Sequence, residues 1–243
     1  MESKSSNYVY DNVIQIDETD SSRKYLAKVF TWMFAALGVS ALVAYMFATN
    51  LSLLNLIVNT EAGGFTPLGY VAVFAPLAFS LVINFGFNRI SYPLMVALFI
   101  GYAVAIGVSL SIFGLIYTAG SIFGVFLSAS AVFGVMAIVG YRTNTDLSKF
   151  GSIMWMIFIG AFLASWINFF IGSSQLDYIL SFVFIAVLVG LTAYYMQMLK
   201  RIGAGIEFGS QESKKLVIIG AFVLYTTFIN LFMSMLRIFG SRR

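Results

Sequence analysis

The sequence predicts an all-α integral membrane protein: a bundle of seven transmembrane helices with no soluble catalytic domain. Three observations lead there. Of 243 residues, 60% are hydrophobic and only 10% charged. Soluble domains carry about 25% charged residues, so lipid must be the solvent for most of this chain. A spanning helix needs about 20 apolar residues, and seven such runs with short connections use nearly the whole length. The basic residues, finally, fall almost entirely at alternate ends of those runs.

Residues 1–25 form a polar, mildly acidic tail containing Asp11, Asp17, Glu18 and Asp20, and residues 26–243 form the seven-helix domain. A secretory signal would open with a basic stretch and a short apolar one, so the first run is expected to stay as an uncleaved anchor. The spans are predicted at 26–48, 67–87, 93–113, 121–141, 150–171, 177–199 and 216–238. Pro67 and Pro93 open the second and third, where a missing N–H costs little. Gly63-Gly64, Gly172-Ser173-Ser174 and Gly203-Ala204-Gly205 mark connections.

Lys4, Arg23, Lys24 and Lys28 precede or open the first span; Arg89 follows the second; Arg142 and Lys149 follow the fourth. Lys200, Arg201, Lys214 and Lys215 follow the sixth, and the loops after spans one, three and five hold no Lys or Arg. Eleven of fourteen basic residues therefore share one side, which the positive-inside rule makes cytoplasmic, together with the N-terminus. Arg237, Arg242 and Arg243 fall on the other side if the last run crosses fully. A run that dips in and returns would avoid this, but residues 216–238 contain no Pro and no Gly after Gly220. A continuous helix satisfies that backbone more easily, so seven full spans are expected. Gly120, Gly124 and Ser128 on span four, and Gly160 and Ala164 on span five, recur every four residues. Such stripes let helices approach closely in lipid, and packing within the bundle is the expectation for them.

The chain has neither Cys nor His, which excludes disulfides, zinc–thiolate sites and imidazole chemistry. All ten acidic residues lie in the tail, in loops or at span edges, the last five being Glu61, Asp146, Asp177, Glu207 and Glu212. Proton pumps and intramembrane hydrolases need buried titrating or nucleophilic groups, so no enzyme, metal or cofactor is expected. The basic residues read as topology signals rather than as a nucleic-acid surface. Polar residues do remain inside spans: Asn84, Asn168, Thr192, Tyr194, Tyr195, Gln197, Tyr225, Thr226, Thr227 and Asn230. They fit either interhelical hydrogen bonds or the lining of a wet path.

Several ordered stretches resemble one family. Gly140-Tyr141-Arg142-Thr143-Asn144-Thr145-Asp146-Leu147-Ser148 resembles the G-Y-x-T-x-x-D-L run between spans four and five of the Bax inhibitor-1 family. Asn168-Phe169-Phe170, Gly190-Leu191-Thr192-Ala193-Tyr194, Phe228-Ile229-Asn230-Leu231-Phe232 and Leu236-Arg237-Ile238-Phe239-Gly240 resemble its later helices. The resemblance covers roughly residues 20–240 and implies six helices around a central last one, in a bacterial inner (plasma) membrane. It also implies pH-sensitive calcium leak in bacterial members and control of cell death in eukaryotic ones. For some bacterial relatives it implies a membrane-bound protease as partner.

In that family the resemblance places a pH sensor on two aspartates, in A-Y-D-x-Q on helix six and L-Y-L-D-F-I-N on helix seven. An arginine near the end of helix two latches them. Two close carboxylates titrate as a coupled unit. The corresponding positions here are Tyr195, Thr227 and, for the latch, Arg89. A phenol with an ordinary pKa near 10 and a threonine hydroxyl do not change charge between pH 6 and 8. Calcium also prefers carboxylate oxygen. The sequence therefore predicts loss of pH gating, with Asn230, Tyr225, Gln197 and Asn168 as polar path or packing residues.

Overall fold

The computed structural model describes residues 18–59, 64–87, 89–206 and 210–242. Most of the tail lies outside them, as do Glu61, Gly63 and Glu207. Among the described residues there are nine helices: α1 (Glu18–Thr49), α2 (Leu51–Ile57), α3 (Pro67–Gly86), α4 (Tyr92–Ser111), α5 (Phe113–Ile116), α6 (Ala119–Arg142), α7 (Ser148–Ile171), α8 (Ser174–Gly205) and α9 (Gln211–Phe239). Seven helical stretches are long and apolar enough to cross a membrane, with α4 and α5 together making the third. Residues 211–239 form one continuous helix, long and apolar enough to cross a membrane, rather than a run that dips in and returns.

Local chemistry sets the boundaries. Thr66, Thr118, Ser173 and Ser210 cap α3, α6, α8 and α9, each side chain accepting from a backbone N–H of the first turn. That bond supplies one of the partners a helix start lacks. At the end of α7, Gly172 adopts φ 70°, a left-handed turn that glycine enters without steric cost. Pro76 lies inside α3, where its missing N–H leaves the Ala72 carbonyl without its usual partner. The Ser109 hydroxyl of α4 donates to that carbonyl at 3.1 Å. In lipid every backbone group must find such a partner, and here the neighbouring helix provides it.

Burial is graded across the spans. Within α9, 67% of the most apolar stretch is buried, against 11% for α3 and for α7. α9 packs on α1, α4, α6 and α8, while α3 and α7 make their main contacts with α4 and α8. Four spans rather than six thus form the principal surround of the seventh. Phe85, Phe169 and Phe170 stand outward on α3 and α7, as expected where lipid replaces water. Asn84 also points outward, donating to the Ser80 carbonyl of its own helix at 2.8 Å rather than into the bundle.

The small-residue stripes do not pack as expected. A Cβ added at Gly120, Gly124 or Gly160 would meet nothing within 4 Å, so these positions face out of the bundle. Close approach occurs at Gly140, whose missing side chain lets α6 sit directly on the α8 backbone at Ala193. Spacing along a helix identifies a stripe, but which side of the helix meets a neighbour is decided elsewhere in the chain.

Both ends of the bundle are tied. At one end Ser22 of α1 donates to the Lys200 carbonyl of α8 at 3.0 Å. At the other, Thr118 N–H donates to the Ser241 carbonyl at 3.1 Å, and Ser241 N–H donates to the Ser121 hydroxyl at 2.8 Å. Arg237 meets Asp177 there at 3.5 Å, both half-exposed, a surface pair worth under about 1 kcal/mol.

Candidate functional site

Tyr195 on α8 and Thr227 on α9 both lie in the buried interior, 8% and 5% exposed. Thr227 spends its hydroxyl on its own helix, donating to the Val223 carbonyl at 2.8 Å. The ring of Tyr195 lies 5.4 Å from that of Tyr194. No hydrogen bond joins Tyr195 to Thr227 among the described residues. Arg89 follows α3 on the exposed surface and has no ion-pair partner among the described residues. Its side chain is a flanking charge in this structure.

Tyr225 sits at the centre of a three-helix node. Its hydroxyl is fully buried and lies 2.6 Å from Ser40 Oγ of α1. Ser40 in turn reaches the Ala103 carbonyl of α4 at 2.7 Å and its own Ala36 carbonyl at 3.0 Å. Carbonyls only accept, so Ser40 gives its single proton to them and the phenol must donate to Ser40. One step along α9, the Thr226 hydroxyl meets that of Tyr102 at 3.4 Å. Phe99, Tyr102, Phe222 and Tyr225 pack edge to face around this node, an arrangement the ring quadrupoles favour. Sequence reading missed Ser40 and Tyr102. A lone serine in an apolar run carries no signal until its partner helix is known.

Gln197 works elsewhere. Its side-chain carbonyl accepts from Leu147 N–H at 2.9 Å, and its amide donates to the carbonyls of Thr145 at 2.8 Å and Thr143 at 3.4 Å. Lys200 donates to the Tyr141 carbonyl at 2.9 Å, with its ammonium 4.8 Å from the ring centroid. Arg201 pairs with Asp146 at 2.9 Å. Positions 197, 200 and 201 share one helix face, so one stripe of α8 grips the whole 140–148 segment. Asp146 also accepts from the Ser148 hydroxyl and N–H. Those two bonds first, and then Arg201, hold its carboxyl below the usual carboxylate range.

Asn168 is a loop clamp as well. It lies at the end of α7 and binds Ser173 in both directions, donating to its carbonyl at 3.0 Å and accepting from its N–H at 3.1 Å. Asn230 is half-buried on α9. Among the described residues, no group of three or more acidic side chains gathers to hold a metal. The buried polar side chains described are Ser, Thr, Asn, Gln and Tyr, and none of their nitrogen or oxygen atoms that is fully shut off from solvent lacks a hydrogen-bond partner.

These features define a multi-pass α-helical membrane protein with a neutral, hydrogen-bonded interior and a motif-bearing loop locked onto its sixth span. The family model described as Inhibitor of apoptosis-promoting Bax1 matches residues 22–243. The chain belongs to this Bax inhibitor-1 family. It is 36% identical over 220 residues to the inner membrane protein YbhL of Escherichia coli K12, covering 90% of this chain and 92% of that one. An uncharacterized protein of Rickettsia prowazekii is 38% identical over 221 residues, 91% of each chain. One from Borreliella burgdorferi is 34% identical over 222 residues, 90% of this chain and 93% of that one.

Proposed function

We propose that this protein is a non-enzymatic calcium-leak channel of the Bax inhibitor-1 type in which pH gating has been lost. It would sit in a bacterial inner membrane with its N-terminus cytoplasmic, as the basic-residue distribution and the name of the Escherichia coli relative support. The observation carrying the reading is the pair of buried neutral hydroxyls at Tyr195 and Thr227. Neither changes charge between pH 6 and 8. Arg89, exposed and without an ion-pair partner among the described residues, has nothing to latch.

Purified protein in calcium-dye-loaded liposomes, assayed from pH 6 to 8, tests this. Flux without pH dependence is expected. A steep pH response refutes the replacement of the sensor, and absence of flux sinks the channel reading. In the same assay Tyr195→Asp with Thr227→Asp should confer pH dependence. If the double variant stays flat, the positions have been mapped wrongly.

A second reading is a non-conducting module that binds and restrains a membrane partner such as a protease. The pairing of every fully enclosed side-chain polar atom among the described residues favours it, since a wet path needs groups left over for water or ions. Crosslinking in native membranes, with and without residues 1–17, separates the two. A partner set indifferent to the tail counts against this second reading.

A further inference from the structure

A cavity of about 540 Å³ opens at the end of the bundle that carries the α3–α4 and α8–α9 connections. It lies between the beginnings of α1, α4 and α9. Lys28, Thr31 and Trp32 come from α1, Tyr92 from α4, and Ser213 and Lys214 from α9, with Val217 as an apolar wall. Two lysines brought together from opposite ends of the chain line this space with Trp32 and Tyr92, while the Thr31 and Ser213 hydroxyls donate to the Ala27 and Ser210 carbonyls of the backbone. No carboxylate lines it among the described residues. Such a concentration of donors suits a ligand made of acceptors carrying negative charge.

Two helix starts reinforce this. α4 and α9 both begin at the cavity, and their N-terminal dipoles favour an anion. Ser91, which caps α4, makes no side-chain bond to the first turn. The volume falls within the roughly 300–1,000 Å³ of small-molecule sites, too large for a chloride alone. Trp32 and Tyr92 are residue types that settle at the membrane–water boundary.

We propose that this cavity binds a phosphoryl group, as the headgroup of an acidic phospholipid or as free phosphate. Lys28 and Lys214 carry the charge, and the Tyr92 hydroxyl and the Trp32 indole supply neutral hydrogen bonds. Basic pockets between spans hold anionic headgroups in this way. The site is separate from Tyr195 and Thr227 and does not depend on whether the protein conducts.

Full-length protein is placed in nanodiscs of phosphatidylcholine with or without phosphatidylglycerol, and bound lipid is counted by native mass spectrometry. A parallel arm titrates inorganic phosphate into phosphatidylcholine nanodiscs and follows Trp32 emission in a Trp155→Phe, Trp166→Phe background. Retention of phosphatidylglycerol over phosphatidylcholine is expected for a lipid source; a saturable emission change with phosphate is expected for a soluble one. Each single Lys→Gln change should weaken binding about five-fold, from roughly 1 kcal/mol per basic residue. Lys28→Arg with Lys214→Arg should restore it, which separates lost charge from lost folding, and Lys149→Gln should do nothing. Equal retention of both lipids with no phosphate response overturns the proposal, as does binding unaffected by Lys28→Gln with Lys214→Gln.

Discussion

Tyr225 and Ser40 make unequal contributions to one hydrogen bond, and the inequality can be measured. In Tyr225→Phe the donor disappears, while Ser40 keeps its bonds to the carbonyls of Ala103 and Ala36. The loss should be that of one interhelical hydrogen bond in a membrane, about 0.6 and at most about 1.7 kcal/mol. In Ser40→Ala the phenol, fully buried, is left with a proton and no acceptor. An orphaned buried polar group costs about 1–3 kcal/mol, so this change should be the worse of the two, at about 2 kcal/mol. Joining both changes removes the orphan. The double variant should therefore cost less than the sum, by about 1 kcal/mol. Reversible unfolding in mixed detergent micelles, followed by helicity as denaturing detergent rises, gives all three values. If Tyr225→Phe costs more than Ser40→Ala, or the two add to within about 0.5 kcal/mol, the donor assignment is wrong.

Replacing Gln197 by Leu leaves Leu147 N–H and the Thr145 carbonyl without partners; at about 1 kcal/mol each, hydrogen exchange at Leu147 should quicken about thirty-fold. Gly140→Ala drives a methyl into the α8 backbone at Ala193 and should destabilise by about 1–3 kcal/mol. Gly124→Ala meets open space and should be neutral or gain up to about 1 kcal/mol of helix propensity, as thermal unfolding of the two variants would show. The folded Asp146 carboxyl titrates below its ordinary value, near 3.9 in the unfolded chain. Its stabilisation of the loop is therefore present above about pH 4 and lost as pH falls through the lower folded value. Protease nicking between residues 143 and 147 should be flat from pH 6 to 8 and rise only in strong acid, with Asp146→Asn nicked faster at neutral pH.

The spans were readable because lipid imposes a simple demand: about 20 apolar residues with helix starts satisfied by caps. Pro67 and the basic residues at alternate ends located them to within a few residues, except that α1 runs out to Glu18 and α8 to Gly205. The short α2 at Leu51–Ile57 was not readable, being too brief for periodicity to declare itself. Side-chain partners were less legible still. Gln197 and Asn168 look like interior polar groups in a hydropathy profile, yet both reach loops near the ends of their helices. Gly120 and Gly140 are equally small, and only the fold decides that one faces lipid while the other touches α8. Tyr195 and Thr227 were singled out from the motif residues beside them, and both are buried.

The burial of α9 has a consequence for how the protein is made. A ribosome delivers the chain in order, so six spans enter the bilayer before the one on which four of them pack. At about 10 residues per second, the 29 residues of α9 take about three seconds to emerge. During that interval Ser40, Phe99 and Phe133 lack the helix that covers them. The bundle is therefore completed in a single late event, and until then the nascent protein presents a vacant slot to any insertase or protease that surveys unfinished helices.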